Sequence, residues 1–318
     1  MTISEKNKSG FIFAGQGSQS VGMLADLGEA FPIVRDTFQE ASEAVQVDLW
    51  AVVQNGPESE LNRTERTQPI MLAAGVAVWR CWHQRGGATP AVLAGHSLGE
   101  YTALVCAGAI DFGVATRLVA DRARFMQEAV TTGEGRMAAI LGLDDDQVGL
   151  ICQEAAQEQV VEAVNFNAPG QVVIAGCTAA VDRAVTLAKA AGAKRAVELP
   201  VSVPSHCALM RPAAVRLAER LAAVEIKVPV LPVLHNVDIS RAAHPDTIRA
   251  RLVEQLHCPV RWVETIRRMA ADGVAWVVEC GPGKVLTGLN RRIDRRMDAV
   301  AVFDLASLDK ALLKGGGN

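Results

Sequence analysis

The stretch "PAVLAGHSLGEYTALVCAG", Pro90 to Gly108, constrains this chain more than any other. A short apolar run stops at Gly95, and a helix-forming run starts at Gly99. The backbone must therefore pass from strand to helix through a very tight turn, and glycine is the residue that tolerates close backbone approach there. Gly95-His96-Ser97-Leu98-Gly99 fits the G-x-S-x-G nucleophile elbow. Such an elbow lifts a serine hydroxyl above the end of a sheet and aims the next N–H, here that of Leu98, at a developing oxyanion. A plain strand-to-helix turn that happens to hold a serine is the alternative, because the pattern leaves two positions free.

Composition narrows the class. With 318 residues, 50% of them apolar, the chain can bury a large core as one big domain or two smaller ones. A formal charge of −3 provides no global basic field, so nucleic acid is not an expected partner. The apolar run Ile70 to Trp79 is well short of the roughly 20 residues that span a bilayer. The polar "MTISEKNKSG" followed by "FIFAG" does not make a signal-peptide core of about 7–15 apolar residues. A soluble cytoplasmic protein with no membrane partner is expected. The cysteines at 81, 106, 152, 177, 207, 258 and 280 are scattered, without a C-x-x-C pair. Neither a metal site nor a disulfide framework is expected, and most of these thiols should be small buried hydrophobes.

Hydrophobic periodicity predicts an α/β fold. A strand at Phe11–Ala14 runs into the glycine turn "GQGSQ", and a helical stretch follows that Pro32 interrupts. "TQPIMLAAGVAVWRCWHQRG" is a long helix stopped by Gly86-Gly87. "VATRLVADRARFMQEAV" is a helix with Arg117, Asp121 and Arg124 on its polar stripe. From Gln127 to Val201 the order becomes β-α-β-β-α-β, a ferredoxin-like arrangement, with Thr178 read as the cap of its second helix. Afterwards the larger unit resumes with a helix at "CALMRPAAVRLAERLAAV", a strand at "LPVLHNV", two more helices, and "AWVVECGPGKVLTGL" as strand, turn and helix. The "KGGGN" tail is expected to fray.

Serine is a weak nucleophile until a base takes its proton, so a histidine must meet Ser97. Of the six, His83, His244 and His257 look solvated, and His235 sits in an apolar strand as a core residue would. His96 adjoins Ser97, but its side chain should point away. His206, in "LPVSVPSHCALM", lies where the chain returns from the small unit to the one that holds Ser97. The turn at Gln16 supplies a second backbone amide at a strand end, so Gln16 and Leu98 form the natural oxyanion pair. "GQGSQ" lacks the third glycine of a dinucleotide fingerprint, and "GPGK" lacks Walker spacing.

With these residues in view, "GQGSQSVGM", "TQPIML", "GHSLGEY", "RFMQEAV", "NFNAPGQVVIAG", "LPVSVPSHCALM", "VEQL" and "GPGKVLTGL" together resemble the bacterial malonyl-CoA:acyl carrier protein transacylases of fatty acid synthesis. The resemblance runs from about Phe11 to Leu289. It implies an α/β-hydrolase-like large domain, residues 1–126 and 202–318, with an inserted ferredoxin-like (βαββαβ) small domain, residues 127–201. It implies that Ser97 carries the acyl group, His206 is the base, and the Gln16 and Leu98 amides form the oxyanion hole. Arg122 would hold the substrate carboxylate, with Gln68, Gln255 and Asn236 also at the substrate site. A guanidinium suits that task because it offers a carboxylate two parallel charge-assisted bonds.

The implied partners are malonyl-CoA and acyl carrier protein, with no cofactor beyond the thioester substrate and no metal, and a monomer is the default. A basic patch should meet the acidic carrier protein, either Asn290 to Arg296 or Lys194 with Arg195. Two choices stay open: whether Asp238 or backbone carbonyls near Asn236 and Gln255 orient His206, and whether the carrier belongs to fatty acid synthesis, a polyketide synthase or a malonate decarboxylase. An acyl-carrier-protein hydrolase would use the same residues. Two positions depart from the family pattern: Ala14 stands where proline is usual, and His235 where asparagine is common.

Overall fold

A computed structural model describes residues 8–201 and 203–316. Of the ten-residue polar lead, expected to be disordered or a short extension, residues 1–7 lie outside the described residues, as do the last two residues of the tail, whereas Ser9 and Gly10 already belong to a strand.

The first segment builds β1 (Ser9–Phe13), α1 (Ala25–Ala30), α2 (Pro32–Val45), α3 (Leu49–Asn55), α4 (Glu58–Leu61), α5 (Thr64–Gln84), β2 (Val92–Gly95), α6 (Gly99–Cys106) and α7 (Phe112–Glu128). The second builds β3 (Gly135–Leu141), α8 (Asp145–Ala156), β4 (Val161–Ala168), β5 (Gln171–Cys177), α9 (Thr178–Ala190) and β6 (Arg195–Glu198). The third builds α10 (Arg211–Ala222), β7 (Val233–Leu234), α11 (Pro245–Glu254), α12 (Trp262–Ala271), β8 (Trp276–Cys280), α13 (Val285–Ile293), β9 (Asp298–Val302) and α14 (Leu305–Lys314).

The fold is mixed α/β with two sheets. One is five-stranded and parallel, in the order β7-β2-β1-β8-β9. Its strands β1 and β8 are buried at every residue, which is why they are largely apolar on both faces instead of alternating. The exceptions are Ser9 and Glu279, whose buried carboxylate accepts from Leu286 N at 3.0 Å and Thr287 N at 2.7 Å. The other is four-stranded and antiparallel, in the order β4-β5-β3-β6. The antiparallel sheet is tied to the larger unit where β4 bridges Val260, in the segment between α11 and α12, with Val260 N donating to Val164 O at 2.8 Å and Phe166 N to Val260 O at 3.0 Å.

Local chemistry accounts for most element ends. Pro32 opens α2, its missing N–H being one that a first-turn residue would leave unpaired anyway. Asp111 caps α7 through the Val114 N–H, and Asp144 and Gln147 close a reciprocal capping box on α8. Thr178 is not a cap. It is the first helical residue of α9, Cys177 is the N-cap, and the threonine hydroxyl donates to Gly133 O at 2.7 Å. Two expected strands are short: β6 ends at Glu198 and β7 has two residues. Beyond the resemblance, β9 extends the parallel sheet as an edge strand, with Ala299 and Val302 buried, and α14 follows it.

Register sets up the site. Strands β1 and β2 are adjacent and parallel, with Phe13 opposite Gly95. Their carboxyl ends therefore release the Gln16 loop and the Ser97 turn side by side, at the sheet edge where open α/β sheets bind ligands.

Candidate active site

The elbow glycines are sterically required. A Cβ on Gly95 would lie 1.8 Å from the Gly99 carbonyl carbon, and one on Gly99 would lie 2.0 Å from Phe13 O. A Cβ on Gly15 would lie 2.7 Å from His96 O. These contacts hold the turn after β2 against the loop after β1. Ser97 sits at φ 52°, a left-handed conformation that a non-glycine residue occupies only when its surroundings impose it. His206 does the same at φ 67°. Its N–H donates to Leu256 O at 2.9 Å, which pins the loop that brings it across from the antiparallel sheet.

Ser97 Oγ lies 2.8 Å from His206 Nε2, although 109 residues separate them in sequence. His206 Nδ1 lies 2.6 Å from the Gln255 carbonyl oxygen. That acceptor assigns the proton to Nδ1 and leaves the Nε2 lone pair facing the serine hydroxyl. Burial, reinforced by the nearby Arg122 charge, pushes the imidazole down to about 3, so it is neutral at ordinary pH. Asp238 faces elsewhere: its carboxylate accepts from Arg251 Nε at 2.6 Å and from Ser240 N at 3.0 Å. The Asn236 carbonyl accepts from Arg261 N at 3.1 Å.

Arg122 is the anomaly of α7. It lies in the buried stripe with Ala115, Leu118, Val119 and Met126, while Arg117 and Arg124 are exposed. The side chain is 1% exposed. Nη1 donates to Gln68 Oε1 at 2.8 Å, and Nη2 donates to Gln255 Oε1 at 3.1 Å and to Ser97 Oγ at 3.2 Å. The guanidinium carbon stands 5.5 Å from the centre of the Tyr101 ring. Those contacts offset a desolvation penalty of several kcal/mol for a buried ion. Burial still pulls its pKa below the ordinary value, against the opposing influence of Tyr101 and Glu100. Arg122 Nε and the Tyr101 hydroxyl are buried without a hydrogen-bond partner among the described residues.

A cleft of about 140 Å³ opens on these groups. Gln16, Gln68, Ser97, Leu98, Arg122 and His206 face it from the parallel-sheet side, Met137 and Asn165 from the antiparallel sheet, and Leu199 from just beyond β6. Among the described residues neither the Gln16 nor the Leu98 N–H has a protein acceptor. This volume is below the roughly 300–1,000 Å³ of pockets that enclose a drug-sized ligand, so it suits a short acyl tip. Among the described residues no cluster of potential metal ligands occurs, and no helix is long and apolar enough to cross a membrane.

Two expected substrate contacts are elsewhere. Asn236 and Gln255 are fully buried and sit behind Ser97, not in the cleft wall. Asn236 Oδ1 accepts from Ser97 N at 2.7 Å, and its Nδ2 donates to Gly95 O at 2.6 Å. Gln255 Nε2 donates to Ser97 O at 3.0 Å. His96 does line the cleft beside Ser97, with Nε2 2.7 Å from Asn167 Oδ1. Sequence reading passed over Glu100 and Tyr101, although both stand in the quoted "GHSLGEY". An ionisable residue in an otherwise apolar helix start was the available signal. Of the two basic stretches considered for carrier docking, Lys194 and Arg195 are exposed, and within Asn290 to Arg296 the four arginines are exposed while Asn290 is buried.

The acyl transferase domain family matches residues 10–307. The malonyl CoA-acyl carrier protein transacylase of Escherichia coli (strain K12) is 57% identical over 302 residues, which is 95% of this chain and 98% of the relative. A solved acyl carrier protein S-malonyltransferase from Vibrio cholerae superposes with a TM-score of 0.94 at 57% identity, covering 95% of this chain and 99% of that one. A malonyl-transacylase solved in complex with its type II polyketide acyl carrier protein superposes at 0.95 with 56% identity, covering 96% and 99%. A match that spans nearly the whole chain, at more than half identity, means that this chain belongs to the acyl transferase domain family, among the malonyl-CoA:acyl carrier protein transacylases.

Proposed function

We propose that the protein moves a malonyl group from malonyl-CoA to the phosphopantetheine thiol of an acyl carrier protein, through a malonyl ester on Ser97. The observation that carries this reading is the 2.8 Å approach of Ser97 Oγ to His206 Nε2 in a cleft that also contains the Arg122 guanidinium. His206 Nε2 takes the hydroxyl proton as Oγ bonds to the thioester carbonyl carbon. The negative oxygen of the tetrahedral intermediate is held by the Gln16 and Leu98 N–H groups. The C–S bond then breaks, and the CoA sulfur leaves with the proton from His206. The carrier thiol attacks the ester in turn and gives its proton to His206, and Ser97 recovers the proton as its C–O bond breaks. Atoms and protons balance at each step with these groups alone, so the reading includes no cofactor.

Arg122, steadied by Gln68, binds the malonyl carboxylate, and Asn236 and Gln255 act from behind by holding the elbow and the imidazole. We read the parallel-sheet unit, residues 1–126 and 202–318, as an α/β-hydrolase-like domain. Residues 127–201 are read as a ferredoxin-like insertion, supported by the β-α-β-β-α-β order and the β4-β5-β3-β6 sheet. We expect a monomer acting in the cytoplasm.

The test is intact-protein mass spectrometry after exposure to malonyl-CoA without carrier. The wild type should gain one malonyl group that acyl carrier protein then removes, and Ser97→Ala should gain none. Malonyl on the alanine variant refutes Ser97 as nucleophile, and rapid release of free malonate without carrier refutes transfer in favour of hydrolysis. A carrier of polyketide synthesis is the second reading, because a transacylase 56% identical to this chain is solved with one. Transfer rates to both carrier types decide between them.

A further inference from the structure

One carboxylate beneath the nucleophile has no part in the proton transfers. Glu100, the second residue of α6, is fully buried. Its Oε1 accepts from His235 Nδ1 at 2.6 Å. Its Oε2 accepts from Asn236 N at 3.0 Å and from Gln255 Nε2 at 2.8 Å. Two of these three donors belong to residues that hold the reacting groups. Asn236 braces the Ser97 N–H, and Gln255 touches Ser97 O, His206 Nδ1 and Arg122 Nη2.

Charge accounting points to the same residue. Among the described residues the buried Arg122 bonds to two amides and a hydroxyl, and to no carboxylate. The Gln255 side chain bridges it to Glu100. Among the described residues His235 Nε2 is buried with no partner, so within them the ring contributes a single hydrogen bond, the one to Glu100. Asparagine, common at this position in the family, could donate the same bond through its amide.

We propose that Glu100 is a positioning residue for acyl transfer, anchored by His235. Its carboxylate holds Gln255 and Asn236 in the poses that seat Ser97, His206 and Arg122. It also carries the negative charge that balances the guanidinium until a substrate carboxylate arrives. The inference rests on the acyl-transfer reading above.

Two variants separate its parts. Glu100→Gln keeps the hydrogen bonds, because the carbonyl can take both Oε2 donors while the amide donates to His235 Nδ1 once the ring proton moves to Nε2. It removes the charge, at the cost of an Nε2–H on His235 buried without an acceptor among the described residues. Glu100→Leu removes the charge and the bonds. With the guanidinium unbalanced, Glu100→Gln should lower KM for malonyl-CoA relative to acetyl-CoA by at least about threefold. Glu100→Leu should slow modification of Ser97 by phenylmethylsulfonyl fluoride, a neutral reagent, by at least about tenfold per folded molecule. His235→Leu should slow it too, and His235→Asn should recover most of that loss.

A merely structural role would lower the melting temperature and leave these per-molecule constants alone. An unchanged malonyl-to-acetyl KM ratio in Glu100→Gln overturns the proposal, as does an unchanged sulfonyl fluoride rate in Glu100→Leu. If the leucine variant fails to fold, the glutamine variant and the His235 pair decide. The sulfonyl fluoride arm needs no malonyl group, so it judges Glu100 even if the wild type proves not to be loaded by malonyl-CoA.

Discussion

Arg122→Ala tests the link between a buried charge and substrate choice. In the resting site the guanidinium is 1% exposed and faces the cleft beside Ser97. A carboxylate that enters finds little water to stand in for the missing arginine. Truncating one partner of such a buried, hydrogen-bonded charge pair costs about 2–5 kcal/mol, or roughly 30-fold to several thousand-fold in kcat/KM. An acetyl thioester has no carboxylate and escapes that loss. Alanine also withdraws the donor 3.2 Å from Ser97 Oγ, which penalises both acyl groups. The ratio of malonyl to acetyl kcat/KM is therefore the informative quantity, not either rate alone. It is measured as acyl transfer to carrier protein from each thioester, with a melting curve to confirm the fold. The ratio should fall at least roughly 30-fold, and Arg122→Lys should recover part of it, since an ammonium keeps the charge without the planar fork. A ratio within about threefold of wild type, under 1 kcal/mol, would remove Arg122 from the carboxylate role.

The remaining predictions concern His206. Its pKa is depressed to about 3, so the neutral base should persist as pH falls, and Ser97 loading should show no inflection near 6.5. A bell limb at pH 6–7, traced to His206 by its absence in a matched variant, would contradict this. The unfolded chain takes up a proton near pH 6.5 that the folded site refuses, so this group's contribution to stability is complete above about 6.5. It is lost progressively as pH falls from there toward 3, which chemical denaturation across that window measures. Asp238→Asn should retain the loading rate, because its carboxylate engages Arg251 and Ser240 and not the imidazole. A loss comparable to that of a His206 variant would restore an acid to the relay.

How far the site was legible varies residue by residue. The turn at Ser97 could be read because its constraint is contiguous: two glycines four apart, where any Cβ would collide with backbone. Arg122 left a weaker trace, a charge on the apolar stripe of α7, and it took the family pattern to separate it from Arg117 and Arg124. Glu100 was in plain view within a quoted motif, an ionisable residue at an otherwise apolar helix start, but nothing local showed its role, since its three donors come from segments more than 130 residues away. Asn236 and Gln255 were expected at the substrate and instead stand behind the serine, because a residue's presence near a site does not say which wall it occupies. The C-terminal β9 and α14 were overlooked because "DAVAV" is only five residues long, has no polar–apolar alternation and stands beside an arginine-rich stretch.

By itself the amino-acid order determined the α/β class, the helix starts at Pro32, Asp111 and Asp144, and the tight turn that presents Ser97. All of these follow from steric and hydrogen-bonding rules acting within a few residues. Only the tertiary structure decided that His206 Nδ1 meets the Gln255 carbonyl and not Asp238, and that a buried carboxylate at Glu100 ties His235, Asn236 and Gln255 together. Those outcomes depend on which distant segments share one dry interior, where most donors must find an acceptor, and local sequence carries no record of that accounting.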